Sequence, residues 1–196
     1  MKTSPTQSLR VKRELLTGAE MKKIIRRMAG ELLERHPNLE TLLLVGIRTR
    51  GVPLSERLAD EIERMEGQRP QLGVIDITLY RDDLSTIAAQ PIVEETHLPM
   101  PINRFAVVLC DDVLYTGRTV RAALDELNDY GRPRAVRLAV LIDRGHRELP
   151  IQADVVGKVI PTSKEEAVEV AFEAIDGDDY VRLVERPSNP PASDPS

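Results

Sequence analysis

Asp111 and Asp112 stand side by side at the end of an apolar run, Val107-Val108-Leu109-Cys110. After Val113-Leu114-Tyr115 come Thr116-Gly117-Arg118-Thr119, and then the helical pattern VRAALDELNDYG. Carboxylates accept hydrogen bonds from hydroxyls. A small-residue turn that opens a helix gathers backbone N–H groups where an anion can sit. Together they predict a ligand that carries a diol beside a phosphate, which describes a ribose 5-phosphate. The order of run, acids, turn and helix places the group at the carboxyl end of a strand, the ligand edge of an open α/β sheet. Other nucleotide loops fit worse. Gly46 and Gly51 have P-loop glycine spacing, but Val52 and Pro53 follow them, and no G-x-G-x-x-G occurs. An acidic loop before an N-capped helix could use the same residues for turn geometry alone.

The elements that must hold these residues are legible from periodicity. Thr17 and Glu20 have capping-box spacing. Behind them Met21, Ile24, Ile25, Met28 and Leu32 recur at helical intervals, predicting a helix to about Arg35. Leu42 to Val45 reads as a buried strand. A helix follows from near Pro53, a residue suited to a first helical position, and ends before Gly67. Val74 to Tyr80 alternates as a strand. The stretch from Asp82 to Asn103 has no clean period and reads as a long loop with at most one short strand, a length that in compact domains belongs to a functional lid or a disordered segment. Strands follow at Phe105 to Cys110, Ala135 to Ile142, Val155 to Ile160 and Ala167 to Ile175, the last an edge strand, with a helix from Thr119 to Tyr130. Strands alternating with helices argue an α/β fold with a mostly parallel sheet. Residues 1–14 read as a flexible N-terminus, 15–186 as one domain and 187–196 as a disordered tail.

The 196 residues suffice for one domain with a substantial core. No Trp and only two Phe leave that core to Leu, Ile, Val and Ala. A net charge of −5 does not announce a nucleic-acid binder. The single cysteine, Cys110, excludes an intramolecular disulfide framework and reads as a packing residue. No apolar run is long enough for a signal peptide or membrane span, so a cytoplasmic protein with no membrane partner is expected.

Four strings, VGIRTRGVPL (45–54), DITLYRDDL (76–84), VVLCDDVLYTGRTVRA (107–122) and LIDRGHRELPIQADVVGKVIPTS (141–163), resemble the PyrR family of pyrimidine operon attenuators, within the type I phosphoribosyltransferases. The resemblance implies the type I fold: a mostly parallel sheet flanked by helices, with a small hood and a flexible flap loop. It implies transfer of a ribose 5-phosphate from phosphoribosyl diphosphate (PRPP) to uracil, with magnesium carried on PRPP and no organic cofactor. Asp111 and Asp112 would take the ribose diol, directly or through magnesium. Tyr115, Thr116, Gly117, Arg118 and Thr119 would form the 5-phosphate loop. Arg48, Thr49, Arg50 and Arg81 would take the pyrophosphate, and Arg144, Val155 and Val156 would line the base. The family has an aromatic where Val155 stands and an Asn at Val159. Some relatives carry an acid at the position of Tyr115 that can serve a purine; its absence leaves no general base assigned.

The resemblance also implies a regulator that binds a leader mRNA hairpin of pyrimidine genes and responds to UMP or UTP. Arg27, Arg35, His146, Arg147 and Lys158 map onto RNA contacts, and Arg26 lies on the same basic helix face. Gly30 and Gln152 stand where the family has a histidine and an arginine. A homodimer or higher homo-oligomer is implied too. Three readings stay open: a regulator with uracil phosphoribosyltransferase activity, a regulator without significant catalysis, and a plain uracil or purine phosphoribosyltransferase with no RNA role.

Overall fold

Thr17 and Glu20 close a reciprocal cap, Thr17 Oγ1 accepting from Glu20 N at 3.3 Å and Glu20 Oε2 accepting from Thr17 N at 2.9 Å. The cap starts α1, Gly18–Arg35. Met21, Ile25, Met28 and Leu32 on its inner face are each no more than 2% exposed. Burying such a side chain is worth about 1.5–3 kcal/mol, so this stripe fixes the helix to the sheet.

The computed structural model describes residues 10–77 and 95–185. Its strands are β1 (Arg10–Thr17), β2 (Leu42–Ile47), β3 (Gln71–Ile75), β4 (Ala106–Leu114), β5 (Ala135–Asp143), β6 (Val155–Val159), β7 (Glu166–Ala171) and β8 (Tyr180–Glu185). The other helices are α2 (Gly51–Glu66), α3 (Arg118–Asp129) and α4 (Glu173–Asp176). Five strands form a parallel sheet in the order β3-β2-β4-β5-β6, and three form a second, antiparallel sheet in the order β1-β8-β7. Successive side chains of a strand point to opposite faces. Leu42 and Leu44 accordingly join α1, α2 and the second sheet in one core layer, while Leu43 and Val45 join α3 in the other.

The expected parallel sheet, flanking helices and small hood are all present. Several boundaries differ, and β4 runs four residues past the expected Cys110 to Leu114. Residues 10–14, read as flexible, lie in β1, which pairs with β8; β8 itself was not foreseen. The helix after β2 starts at Gly51, so Pro53 lies inside its first turn rather than at its first position. β3 begins at Gln71, three residues before the expected Val74, and 78–94 fall outside the described residues. The Ala167–Ile175 segment is indeed an edge strand, but it ends at Ala171 and turns into α4. Of the long loop, His97 makes an isolated bridge to Val74, and Ile102–Arg104 forms a 3-10 turn. The tail 187–196 lies outside the described residues.

Candidate functional site

In the five-stranded sheet, β2 and β4 are parallel neighbours, and the chain proceeds outward from them in opposite directions. That is the topological switch point, where ligands bind beyond the carboxyl ends of strands. Two loops leave this edge: Arg48-Thr49-Arg50 from β2 into α2, and Tyr115-Thr116-Gly117 from β4 into α3. Neither helix has a side-chain cap, whereas α1 has a complete one. The first N–H groups of a helix lack partners inside it, so the two N-termini here can each receive an anion, with Thr116 Oγ1 already accepting from Arg118 N at 3.3 Å in α3. A Cβ on Gly51 would lie 2.2 Å from the Cys110 carbonyl oxygen. Only glycine lets α2 press this close to the strand that carries the acids. Gly117, at φ 94°, turns the chain into α3 through the left-handed region.

The acids lie inside β4, not in a loop after it. Asp111 is 6% exposed, and its Oδ1 accepts from Asp112 N at 3.0 Å. Burial raises the Asp112 carboxyl above its ordinary value; its hydrogen bond with Asp111 and the charge of Arg50 offset this only in part. Adjacent carboxylates held this way suit hydroxyl donors or a cation. Among the described residues, no three acidic, histidine or cysteine side chains cluster as a metal cage. Cys110 is fully buried, and burial pushes its thiol up.

The loop after β5 holds the α3 turn in place. Thr116 O accepts from Glu148 N at 3.0 Å and Leu149 N at 3.1 Å, and Arg118 Nε donates to Glu148 Oε2 at 2.9 Å. The Tyr115 ring lies under the Arg144 guanidinium, 4.1 Å from ring centroid to Cζ, with His146 edge-on at 5.8 Å. Arg144 is 4% exposed and donates to Thr162 Oγ1 and to the carbonyls of Ser163 and Glu166. It thus ties the end of β5 to the start of β7 and stacks on Tyr115 at the site. Thr119 and Arg118 are exposed at the start of α3.

The residues mapped to RNA contacts divide. Arg147, expected at an RNA surface, instead donates to the carbonyls of Tyr115, Gly145 and Ile151 and pairs with Asp143. His146 Nε2 lies 2.6 Å from Thr162 O, and its φ of 61° marks a backbone turn. Both side chains order the loop. Arg26, Arg27, Arg35 and Lys158 are exposed. Glu31 pairs with Arg27 at 3.4 Å and Arg35 at 3.0 Å, and these three border an open groove of about 600 Å³ with Gly30 and Glu34. A Cβ on Gly30 would meet nothing within 4 Å. Val155, expected to line the base, is 1% exposed and packs in the core layer with Met28 and Leu141. Strand parity turns Val156 to the opposite face. Arg81 lies outside the described residues.

Two acids were missed by the sequence reading. Asp76, 8% exposed, follows β3 at the same carboxyl edge, where an acid directly after an apolar strand was the available signal. Asp176 pairs with Arg50, and no local pattern announced it.

A family model described as a phosphoribosyl transferase domain matches residues 12–174. Solved structures of similar fold include a hypoxanthine phosphoribosyltransferase from Staphylococcus aureus, with TM-score 0.66, 22% identity, and 90% of this chain and 94% of that one covered. Another, from Trypanosoma cruzi, has TM-score 0.67 at 17% identity, covering 93% and 95%. The chain has the type I phosphoribosyltransferase fold. Proteins described as bifunctional protein PyrR are 55% identical over 178 residues in Thermus thermophilus, covering 91% of this chain and 98% of the relative. In Clostridioides difficile the figure is 52% over 174 residues, covering 89% and 98%. The chain belongs to the PyrR family.

Proposed function

We propose that this protein is a uridine-nucleotide-responsive regulator that binds the leader RNA hairpin of pyrimidine genes, with uracil phosphoribosyltransferase activity. One observation carries the enzymatic half: two uncapped helix N-termini flank a buried acid pair at the switch point. A ligand with a phosphate at either end of a diol matches that arrangement.

The α3 N-terminus, with Thr116, Gly117 and Thr119, holds the 5-phosphate. Asp111 and Asp112 orient the ribose hydroxyls, and Arg48, Thr49 and Arg50 receive the diphosphate, with Arg81 assigned the same part by resemblance. As the bond from the anomeric carbon to the diphosphate oxygen breaks, positive charge develops on the ribose, and the carboxylates stabilise it. The bond to the uracil nitrogen forms, and the ring proton passes to solvent. Magnesium bound with PRPP supplies neutralisation of the leaving diphosphate, held in part by Asp111 and Asp112. Backbone groups of Val156 read the base edge. The setting is cytoplasmic, and a homodimer or higher homo-oligomer would place α1 faces side by side. Among the described residues, no helix is long and apolar enough to cross a membrane.

UMP in this site would favour the form that binds RNA through Arg26, Arg27, Arg35 and Lys158; such coupling must be reciprocal. PRPP-dependent conversion of radiolabelled uracil tests the enzyme. Titration of UMP with and without a leader hairpin tests the regulator, and equal UMP affinity in both removes the RNA half. A plain phosphoribosyltransferase is the second reading, favoured by the inward engagement of His146 and Arg147.

A further inference from the structure

The β2–α2 loop ends in Arg50, and its guanidinium is held by the second sheet's helix. Arg50 Nε donates to Asp176 Oδ2 at 3.1 Å, and Nη2 donates to Oδ1 at 2.7 Å. Asp176 closes α4, between β7 and β8, and is itself fixed, since its Oδ2 also accepts from Phe172 N at 2.9 Å. Three residues on, Asp179 grips Arg57 of α2 with bonds of 2.8 and 2.7 Å. Two carboxylates of one short segment thus clamp α2 at two points along its length.

The two clamps are not equivalent. Arg57 lies well inside α2 and stacks over Phe172, 5.1 Å from the ring centroid, so its pairing is a packing device. Arg50 stands at the N-cap position, on the ligand edge, where its charge acts on Asp112. A guanidinium presents five donors in a planar fork. Asp176 takes the side-on edge formed by Nε and Nη2. The end-on edge, formed by Nη1 and the second Nη2 hydrogen, stays available and matches a phosphate bidentately.

We infer that Asp176 is a positioning residue for PRPP: by holding the side-on edge of Arg50 it presents the end-on edge to the diphosphate, without touching substrate. The inference rests on the proposed assignment of the β2–α2 loop to diphosphate. An arginine oriented beforehand gives up less side-chain freedom on binding than one that substrate must order.

The test is steady-state kinetics on Asp176→Asn, Arg50→Ala and the double variant, with UMP binding measured by calorimetry. Asp176→Asn is expected to raise KM for PRPP about fivefold with kcat within about twofold. UMP affinity should stay within about twofold, because UMP carries no diphosphate. In the Arg50→Ala background, Asp176→Asn should change nothing further. Asp179→Asn, which cuts the neighbouring clamp, should lower stability but leave KM for PRPP in place. An unreduced effect in the Arg50→Ala background, or a parallel loss of UMP affinity, overturns the inference and leaves Asp176 a structural tie. If Asp176→Asn does not fold, Asp176→Glu, which displaces the same charge by one methylene, must raise the same KM. Wild-type protein without PRPP-dependent turnover would instead overturn the proposed enzymatic function.

Discussion

Arg27 on α1 reaches the backbone of β6, its Nη2 lying 2.9 Å from Val156 O and donating also to Gly157 O. Among the described residues β6 is an edge strand paired with β5 alone, so its outer margin is open to a side chain. The same arginine lies on the face proposed for RNA and against the segment proposed for the base. Arg27→Ala should therefore affect both. The side chain is 52% exposed, which discounts the two charge-assisted bonds to roughly 1 kcal/mol of stability. KM for uracil is expected to rise a few-fold while KM for PRPP holds, as read from initial rates at fixed concentrations of the other substrate. A uracil KM equal to that of the parent would restrict Arg27 to the RNA face.

Arg147 gives the opposite expectation from a surface contact. It satisfies the Tyr115, Gly145 and Ile151 carbonyls and pairs with Asp143, with its side chain 23% exposed. Removing it orphans several partly buried acceptors, each costing about 1–3 kcal/mol. Arg147→Ala should lower the urea midpoint and, because Tyr115 begins the α3 turn, weaken UMP binding along with RNA binding. RNA binding lost at unchanged midpoint and unchanged UMP affinity would return Arg147 to the RNA surface.

Local pattern made the sheet and the acid-and-turn motif readable. β2 and the first five residues of β4 are continuous apolar runs, and the Thr17–Glu20 cap needs only its own four residues. β1 escaped notice because Arg10 to Glu14 are all exposed and only Leu16 is buried, so its two-residue period is too short to register. Which groups the arginines meet within the fold was not readable. Arg50 meets a carboxylate 126 residues away and Arg27 a carbonyl 129 residues away, distances that only the folded topology closes. Val155 was misplaced for a related reason, since which face of β6 it joins depends on register against β5.

Three aspartates should contribute to acid unfolding of this protein. The hydrogen bond from Arg50 holds Asp176 below the ordinary carboxylate range. Burial would raise Asp143 and Asp179, but Arg147 with Gly145 N–H, and Arg57 with Glu173 N–H, outweigh it and lower both. Each binds fewer protons folded than unfolded, so its contribution is complete above the unfolded value of about 3.9 and is lost as pH falls through the folded values. Urea midpoints measured from pH 7 to pH 2 should drop steepest below about pH 4. Asp143→Asn with Asp179→Asn should lower the neutral-pH midpoint and flatten that drop. A drop of full steepness in the double variant would assign acid sensitivity to other carboxylates.

Asp112 has the reverse sign. Burial lifts its folded value above the unfolded one, so the folded state holds its proton more tightly and the ionised carboxylate destabilises the fold at neutral pH. That penalty falls as pH decreases through the folded value towards about 3.9 and is absent from a neutral amide. Asp112→Asn should therefore raise the urea midpoint at pH 7.5 while lowering PRPP-dependent uracil conversion by roughly 100-fold. Adding PRPP with magnesium should narrow the stability gap, because ligand binds the carboxylate form better and stabilises it by mass action. A destabilised Asp112→Asn that still turns over would make the carboxylate a structural acceptor for its neighbours. The expected pattern, a more stable protein that no longer works, would identify the second acid of the pair as a charge kept in place for its ligand against the preference of the fold.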